Sequence, residues 1–293
     1  MQTPTPVPTA TPAPQANETV YRALLIGNEA YSARLDGPYN DIAMMNAVVS
    51  LSTIDGKGYD SVTVKKDRTR SQILADIAEL ADKPIDANDV TLFYFSGHGA
   101  RASTTEAGTG IVGVDGSLLN VPTLKSALDK IPGRVIVILD SCYSGMFISK
   151  SAGSASAADT GFNDTVLNAF RGSAGSTGIV KKALTTTNYS VITASRKDEL
   201  SVSVGFSANG SPLYVGLATY YLAMGAGYDI LKPSSSGFLS DTNPKDGIAT
   251  FDEVFSFADA KVDAFRAKYP SMGITQDMQY FTTNGALPVF GRN

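Results

Sequence analysis

Cysteine and histidine are scarce in this sequence, with one residue of each in 293. A single cysteine excludes an internal disulfide, and it is either a small buried side chain or a reactive thiol. No run of about 18 apolar residues is present, so the sequence predicts no membrane span. Basic residues are not in excess either: the formal net charge is -4, whereas a nucleic-acid-binding domain is normally basic. We therefore expect no nucleic-acid partner.

Residues 1–17 are rich in proline and threonine and lack the basic start and apolar core of a signal peptide. This composition favours an extended, unpacked chain, so we expect a linker here and one folded domain over 18–293. Tethers of this kind often follow a removed secretion or lipid-anchor signal. We therefore predict export to the cell envelope or the extracellular space, with a cytoplasmic protein as the alternative.

Strand and helix patterns alternate from residue 21 onward. Apolar runs typical of buried parallel strands occur at 21–27, 89–97, 134–140 and 189–195. Helical spacing of apolar residues predicts helices at 38–50, after a cap at Thr69 or Ser71, and at 121–131, 212–224 and 250–269. This order implies right-handed crossovers and an α/β fold with a mainly parallel sheet, to which residues 277–283 add an edge strand.

The single histidine and the single cysteine follow two of these strands. SGHG ends the strand at 89–97, and DSCYSG follows the strand at 134–140, where parallel sheets bind ligands. A cysteine attacks as a thiolate, and a nearby histidine takes its proton, so Cys142 is the candidate nucleophile and His98 its base. The amides of Gly99 and Cys142 are candidate oxyanion donors. The alternative is a buried cysteine and a histidine that only hydrogen-bonds a loop.

The boxes LFYFSGHGA (92–100) and VIVILDSCYSG (135–145) resemble the two signatures of caspase-like cysteine peptidases, and most closely those of bacterial and metacaspase-type members. The resemblance implies a three-layer α-β-α sandwich of the caspase-haemoglobinase fold and endopeptidase activity. It also implies the dyad His98 and Cys142, with Gly99 as an oxyanion donor. Three further stretches match the family in the same order: RALLIGNEAY (22–31), LDGPYNDI (35–42) and VITASRKDELS (191–201).

In metacaspase-like members an acidic pocket selects arginine or lysine before the scissile bond, and Asp41 and Asp140 match pocket carboxylates. Strand alternation sends residue 140 to the same side as Cys142, and a carboxylate there would pair with a guanidinium. Asp198 is a third candidate. We therefore expect protein or peptide substrates with basic residues. Asp140 could instead cap the following turn, and Asp41 could complement the dipole of its helix.

Other functions stay open at this point. A pocket that selects aspartate would need basic residues, and the chain has Arg22, Arg34 and Arg196. A caspase-fold binding or signalling module without useful catalysis would look the same in sequence. A flavodoxin-like small-molecule binder is disfavoured, because IGNEAY after the first strand lacks a phosphate-binding glycine pattern. The oligomeric state is not indicated.

Residues 149–184 occupy the place where caspase relatives are cut between their two subunits. The segment is rich in serine, alanine and glycine, which predicts a long mobile loop. An enzyme that prefers basic residues would cut itself there, and the candidate sites are Lys150, Arg171, Lys181 and Lys182.

Some metacaspases need calcium, held by acids beyond the histidine. Here that stretch offers only Glu106 and Asp115, whereas calcium takes six to eight oxygen ligands. The segment at 240–253 does not have the spacing of a calcium loop, and we predict a turn into a helix there. We expect no cofactor and no metal, with calcium dependence as the alternative.

Overall fold

The computed structural model of the protein describes residues 18–101, 108–143, 189–195, 201–208, 211–233 and 237–292, with the main chain alone at positions 101, 142, 143 and 208. The predicted linker at 1–17 and the whole of the predicted loop at 149–184 lie outside these residues, so both stay predictions. None of the described helices is long and apolar enough to cross a membrane. Export likewise stays a prediction.

Twelve strands and five α-helices make up the described part of the chain. In order they are β1 (Tyr21–Gly27), α1 (Pro38–Leu51), β2 (Ser61–Lys66), α2 (Arg70–Ala81), β3 (Val90–Arg101), β4 (Thr109–Val112), β5 (Leu118–Asn120), α3 (Val121–Leu128), β6 (Arg134–Tyr143), β7 (Tyr189–Thr193), β8 (Ser203–Ala208), β9 (Ser211–Gly216), α4 (Leu217–Gly225), β10 (Ile248–Thr250), α5 (Phe251–Lys268), β11 (Gln279–Thr282) and β12 (Pro288–Gly291).

The central sheet has eight strands, six of them in the order β11-β7-β6-β3-β1-β2, with β4 and β5 added at the end of β3. The four inner pairings, which join the five strands from β2 to β7, are parallel, while β11, β4 and β5 run antiparallel to their neighbours. The mainly parallel sheet predicted from the sequence is therefore confirmed, and so is the edge strand at its end.

Helices cover both faces of the sheet. The strands are apolar on both sides, as in β1, where all seven residues are buried, because a parallel sheet is packed on both faces. Side chains such as Leu25 and Tyr94 face α1, α4 and α5. Their neighbours Leu24 and Phe95 face α2 and α3. The result is the expected three-layer α-β-α sandwich.

Capping residues set the start of two helices. Thr69, rather than Ser71, caps α2, and its side chain and that of Gln72 form a reciprocal capping box. Thr250 and Glu253 do the same for α5. Both starts were readable from sequence, because a cap is a local interaction.

The predicted helix at 212–224 is wrong in its first half. Residues 211–216 form β9, which pairs with β8 as an antiparallel hairpin, and α4 begins only at Leu217. Side chains of α1 bind the main chain of β9 and hold it extended. The carbonyl of Tyr214 accepts from Asn40 Nδ2 at 2.8 Å, and the N–H of Gly216 donates to Asp41 at 2.8 Å. Such distant partners override local helical spacing.

Candidate active site

His98 and Cys142 are neighbours across two parallel strands. The register of β3 and β6 places them directly beside each other, and adjacent strands lie about 4.8 Å apart. Gly99 follows on β3 and pairs with Ile111 of β4 on its other side. The two strands continue to Arg101 and residue 143, beyond the predicted ends at 97 and 140. The pair thus lies within the last paired residues of the sheet, because the pairing of β4 prolongs β3 past its glycines.

The half-buried imidazole of His98 lies against the ring of Tyr31. The two ring centroids are 4.4 Å apart, with 49° between the planes, and the main-chain N–H of His98 donates to Tyr31 Oη at 2.9 Å. Burial lowers the pKa of His98 from its usual value of 6.5. An imidazole in this state is neutral at pH 7 and able to accept a proton.

Asp41 lies in the first turn of α1 and is 2% exposed. Its Oδ2 accepts from the hydroxyl of Ser96 at 2.7 Å, and its Oδ1 accepts from the N–H of Gly216 at 2.8 Å. Ser96 precedes His98 by two residues on β3, so its side chain lies on the same side of that strand. The carboxylate therefore reaches out of its own helix to β3 and β9, and no side chain caps α1.

Asp140 lies on β6, two residues before Cys142, and is 5% exposed. Its Oδ1 accepts from the hydroxyl of Ser201 at 2.6 Å. Its Oδ2 accepts from the N–H and the hydroxyl of Thr219, at 3.1 and 2.6 Å. Because Thr219 lies in the first turn of α4, Asp140 caps that helix. The turn after β6, which the sequence suggested as an alternative, lies outside the described residues.

The two carboxylates meet at Gly216. A Cβ atom at this position would lie 2.3 Å from Oδ2 of Asp140 and 3.1 Å from Oδ2 of Asp41, so glycine is needed for both to approach. Burial and, next, the negative charge of Asp140 raise the pKa of Asp41 well above its ordinary value. The cavity between them has a volume of about 10 Å³, which is room for about one water molecule.

No lysine or arginine in the described part of the chain forms an ion pair with Asp41 or Asp140. The two are therefore a buried acidic pair stabilised by neutral donors. Buried carboxylates of like charge are costly without a cation. An incoming cation would remove that cost.

Two of the three arginines considered for an acid-selecting pocket, Arg22 and Arg34, pair with other acids. Arg22 pairs with Asp89 at 2.9 Å, at the amino ends of β1 and β3. Arg34 pairs with Glu29 at 2.6 Å and Asp36 at 2.8 Å. Neither contacts Asp41 or Asp140 in the hydrogen bonds of the described residues. The remaining candidates lie outside the described residues: Asp198, Arg196, Lys150, Arg171, Lys181 and Lys182.

The turn at 240–253 is organised by Glu253. Its carboxylate accepts from the N–H groups of Thr242, Asn243 and Thr250, at 2.9, 2.8 and 3.0 Å. Burial acts to raise the pKa of Glu253, but these backbone hydrogen bonds hold it at about 2. The carboxylate therefore already stabilises the turn into α5 that the sequence predicted.

A cluster of three aspartates elsewhere in the described residues could attract a cation. Asp259, Asp263 and Asp277 bring carboxylate oxygens within 4.8 Å of one another, but Asp263 is paired with Arg266 at 2.5 Å. Three acids fall short of the six to eight oxygens that calcium takes. We assign no metal site to them.

Four residues around the dyad and the acidic pair were not singled out from sequence: Ser96, Tyr31, Gly216 and Thr219. Ser96 could have been found, because strand alternation puts it on the side of His98. Tyr31 stands in the quoted stretch RALLIGNEAY, but nothing local connects it to a histidine 67 residues later. Gly216 and Thr219 are 175 residues from Asp41 and 79 from Asp140, and only the fold brings them there.

A three-layer sandwich whose parallel strands carry a histidine and a cysteine side by side defines the caspase-like class of cysteine peptidases. The chain matches the family model of the caspase domain over residues 21–229, which is more than half of its length. It therefore belongs to the caspase-domain family of peptidases. No curated protein matches the chain.

Proposed function

We propose that this protein is a cysteine endopeptidase in which Cys142 is the nucleophile and His98 the general base. The observation that carries the proposal is the register of β3 and β6, which pairs His98 with Cys142 within a caspase domain. The lowered pKa of His98 supports it, because a neutral imidazole accepts a proton at pH 7.

The reaction follows from these positions. His98 takes the thiol proton of Cys142, and the thiolate adds to the carbonyl carbon of the scissile bond, whose π electrons move to the oxygen. The N–H groups of Gly99 and Cys142 stabilise this oxyanion. Its collapse expels the amine, which takes the proton from the imidazolium, and leaves a thioester. A water that gives a proton to His98 hydrolyses the thioester and restores the thiol.

We propose that the residue before the scissile bond is arginine or lysine. The buried pair Asp41 and Asp140 supports this, since a guanidinium would supply the opposite charge that the described residues do not. With space for about one water between the carboxylates, a side chain enters only if residues that line this cavity move apart. Acidic substrates would be rejected by like-charge repulsion.

Cleavage of a peptide library is the experiment that tests this function. We expect rapid hydrolysis after arginine and lysine and none after aspartate or glutamate. A preference for acidic residues would refute the pocket assignment and leave the dyad in place. Saturable binding of the same peptides without turnover would instead favour the alternative function, a caspase-fold binding or signalling module.

Self-processing within 149–184 is a further part of the proposal. If the enzyme prefers basic residues, the purified chain is expected to show cuts after one or more of Lys150, Arg171, Lys181 and Lys182. Mass spectrometry of the purified protein beside the Cys142→Ala variant measures this. Identical fragments in both preparations would mean that another protease makes the cuts.

A further inference from the structure

The tyrosine beside the dyad histidine makes three separate contacts. Its ring packs on the imidazole of His98, with 4.4 Å between the centroids. Its hydroxyl oxygen accepts the main-chain N–H of His98 at 2.9 Å, and the same hydroxyl donates to the carbonyl of Val112 at 3.0 Å. Tyr31 therefore ties the ring and the main chain of His98 to the end of β4.

The fit of this tyrosine is tight on the side of β3. A Cβ atom at Gly97 would lie 2.6 Å from Tyr31 Oη and 2.9 Å from the ring of Phe95. Because Gly97, the residue before His98, has no side chain, the hydroxyl of Tyr31 fits beside it. The role of Gly97 in the SGHG box is to admit this side chain.

Polar side chains fix the loop that carries the tyrosine. Asp67, in the left-handed conformation at φ 53°, accepts from the N–H groups of Glu29 and Ala30 at 3.0 and 2.9 Å. Asn28 donates to the carbonyl of Arg68 and accepts its N–H, at 2.9 and 2.8 Å. With so many bonds on the preceding residues, the loop holds the tyrosine in one place.

We propose that Tyr31 is a positioning residue for the catalytic base: it fixes the orientation of the His98 imidazole and shields one face of it from water. This inference rests on the proposed function of His98. Among the described residues, the ring of Tyr31, from the loop after β1, lies against the imidazole. Burial is the cause of the lowered pKa of His98, and the tyrosine ring supplies part of that burial.

An NMR titration of the imidazole tests the shielding independently of catalysis. His98 is the single histidine of the chain, so its ring proton signal is unambiguous, and the Cys142→Ala background removes the thiol. We expect Tyr31→Ala to raise the pKa of His98 toward the value of about 6.5 of a hydrated imidazole. Tyr31→Phe, which keeps the ring, should leave the pKa low. A folded Tyr31→Ala variant that titrates like its parent would overturn the proposal.

Kinetics test the orientation in the active enzyme. Tyr31→Phe removes only the hydroxyl, and we expect kcat to fall about 5- to 30-fold, with KM changed less than about twofold. Tyr59→Phe is the matched control, because Tyr59 also donates to a main-chain carbonyl, that of Val289 at 2.8 Å. An unchanged kcat in Tyr31→Phe would count against the proposal. If the parent hydrolyses no peptide, the proposed function fails, while the titration still decides what Tyr31 does to His98.

Discussion

Replacement of Cys142 by alanine is expected to lower kcat for an arginine peptide by at least about 10⁴-fold, because loss of a nucleophile removes the covalent route altogether. His98→Ala should lower kcat by about 10²- to 10⁴-fold, the usual contribution of a general base. The double variant should be no slower than Cys142→Ala alone, since the two side chains act as one unit.

Peptide hydrolysis is expected to lose rate at acid pH, because His98 must be neutral to act as the base. Burial lowers the pKa of His98, so the imidazole stays neutral down to a pH below 6.5. As the pH falls through this lowered pKa, His98 takes a proton from solvent and no longer accepts that of Cys142. We therefore expect kcat/KM to fall on the acid side, and a pH–rate profile measures where.

Alkylation of the thiol gives a second measurement that needs no substrate. Cys142 is the single cysteine, so incorporation of one iodoacetamide reports on it alone. His98→Ala should slow this reaction at pH 7, because the variant has no imidazole to take the thiol proton as the sulfur attacks. If the variant is alkylated as fast as the parent and keeps its kcat, the two residues do not form a dyad.

The second large effect is expected at the acidic pair. Asp41→Asn and Asp140→Asn should each lower kcat/KM for an arginine peptide by about 30- to 1,000-fold, the equivalent of roughly 2–4 kcal/mol for a desolvated charge pair. Asparagine keeps most local hydrogen bonds, because its oxygen accepts from Gly216 or Thr219 and serine hydroxyls accept as well as donate. The loss is therefore one of charge.

Two controls separate recognition from folding. A peptide with citrulline in place of arginine has the same shape without the charge, and its hydrolysis should be nearly unaffected by either substitution. Asp76→Asn removes another buried carboxylate, on α2, which pairs with Arg68 at 2.8 Å on the opposite side of the sheet. This variant should keep the arginine preference even if its melting temperature falls. Equal losses for arginine and citrulline peptides would mean that the pair serves stability alone.

The same pair predicts how substrate binding depends on pH. Burial and the charge of Asp140 raise the pKa of Asp41, so at low pH Asp41 is protonated and attracts a guanidinium less. As the pH rises through this raised pKa, the carboxylate ionises, and KM for the arginine peptide should fall. In Asp41→Asn that dependence should disappear.

Features that depend on neighbouring residues could be read from the sequence. The buried strands, the Thr69 and Thr250 caps and the order of elements follow from apolar spacing and local hydrogen bonds. The mainly parallel sheet follows from that order. The side-by-side placement of His98 and Cys142 was also predictable, because each ends an apolar strand and such ends meet at one edge.

Long-range contacts decided the rest. The residues at 211–216 carry helical spacing, yet they form a strand because Asn40 and Asp41 bind its main chain. Asp41 and Asp140 matched family positions, but only the tertiary structure packs both against one glycine and places the ring of Tyr31 against His98. The sequence by itself determined which side chains are candidates for the chemistry, since chemistry depends on residue type. The tertiary structure decided which groups surround them, because burial, charge neighbours and pKa depend on residues far apart in the chain.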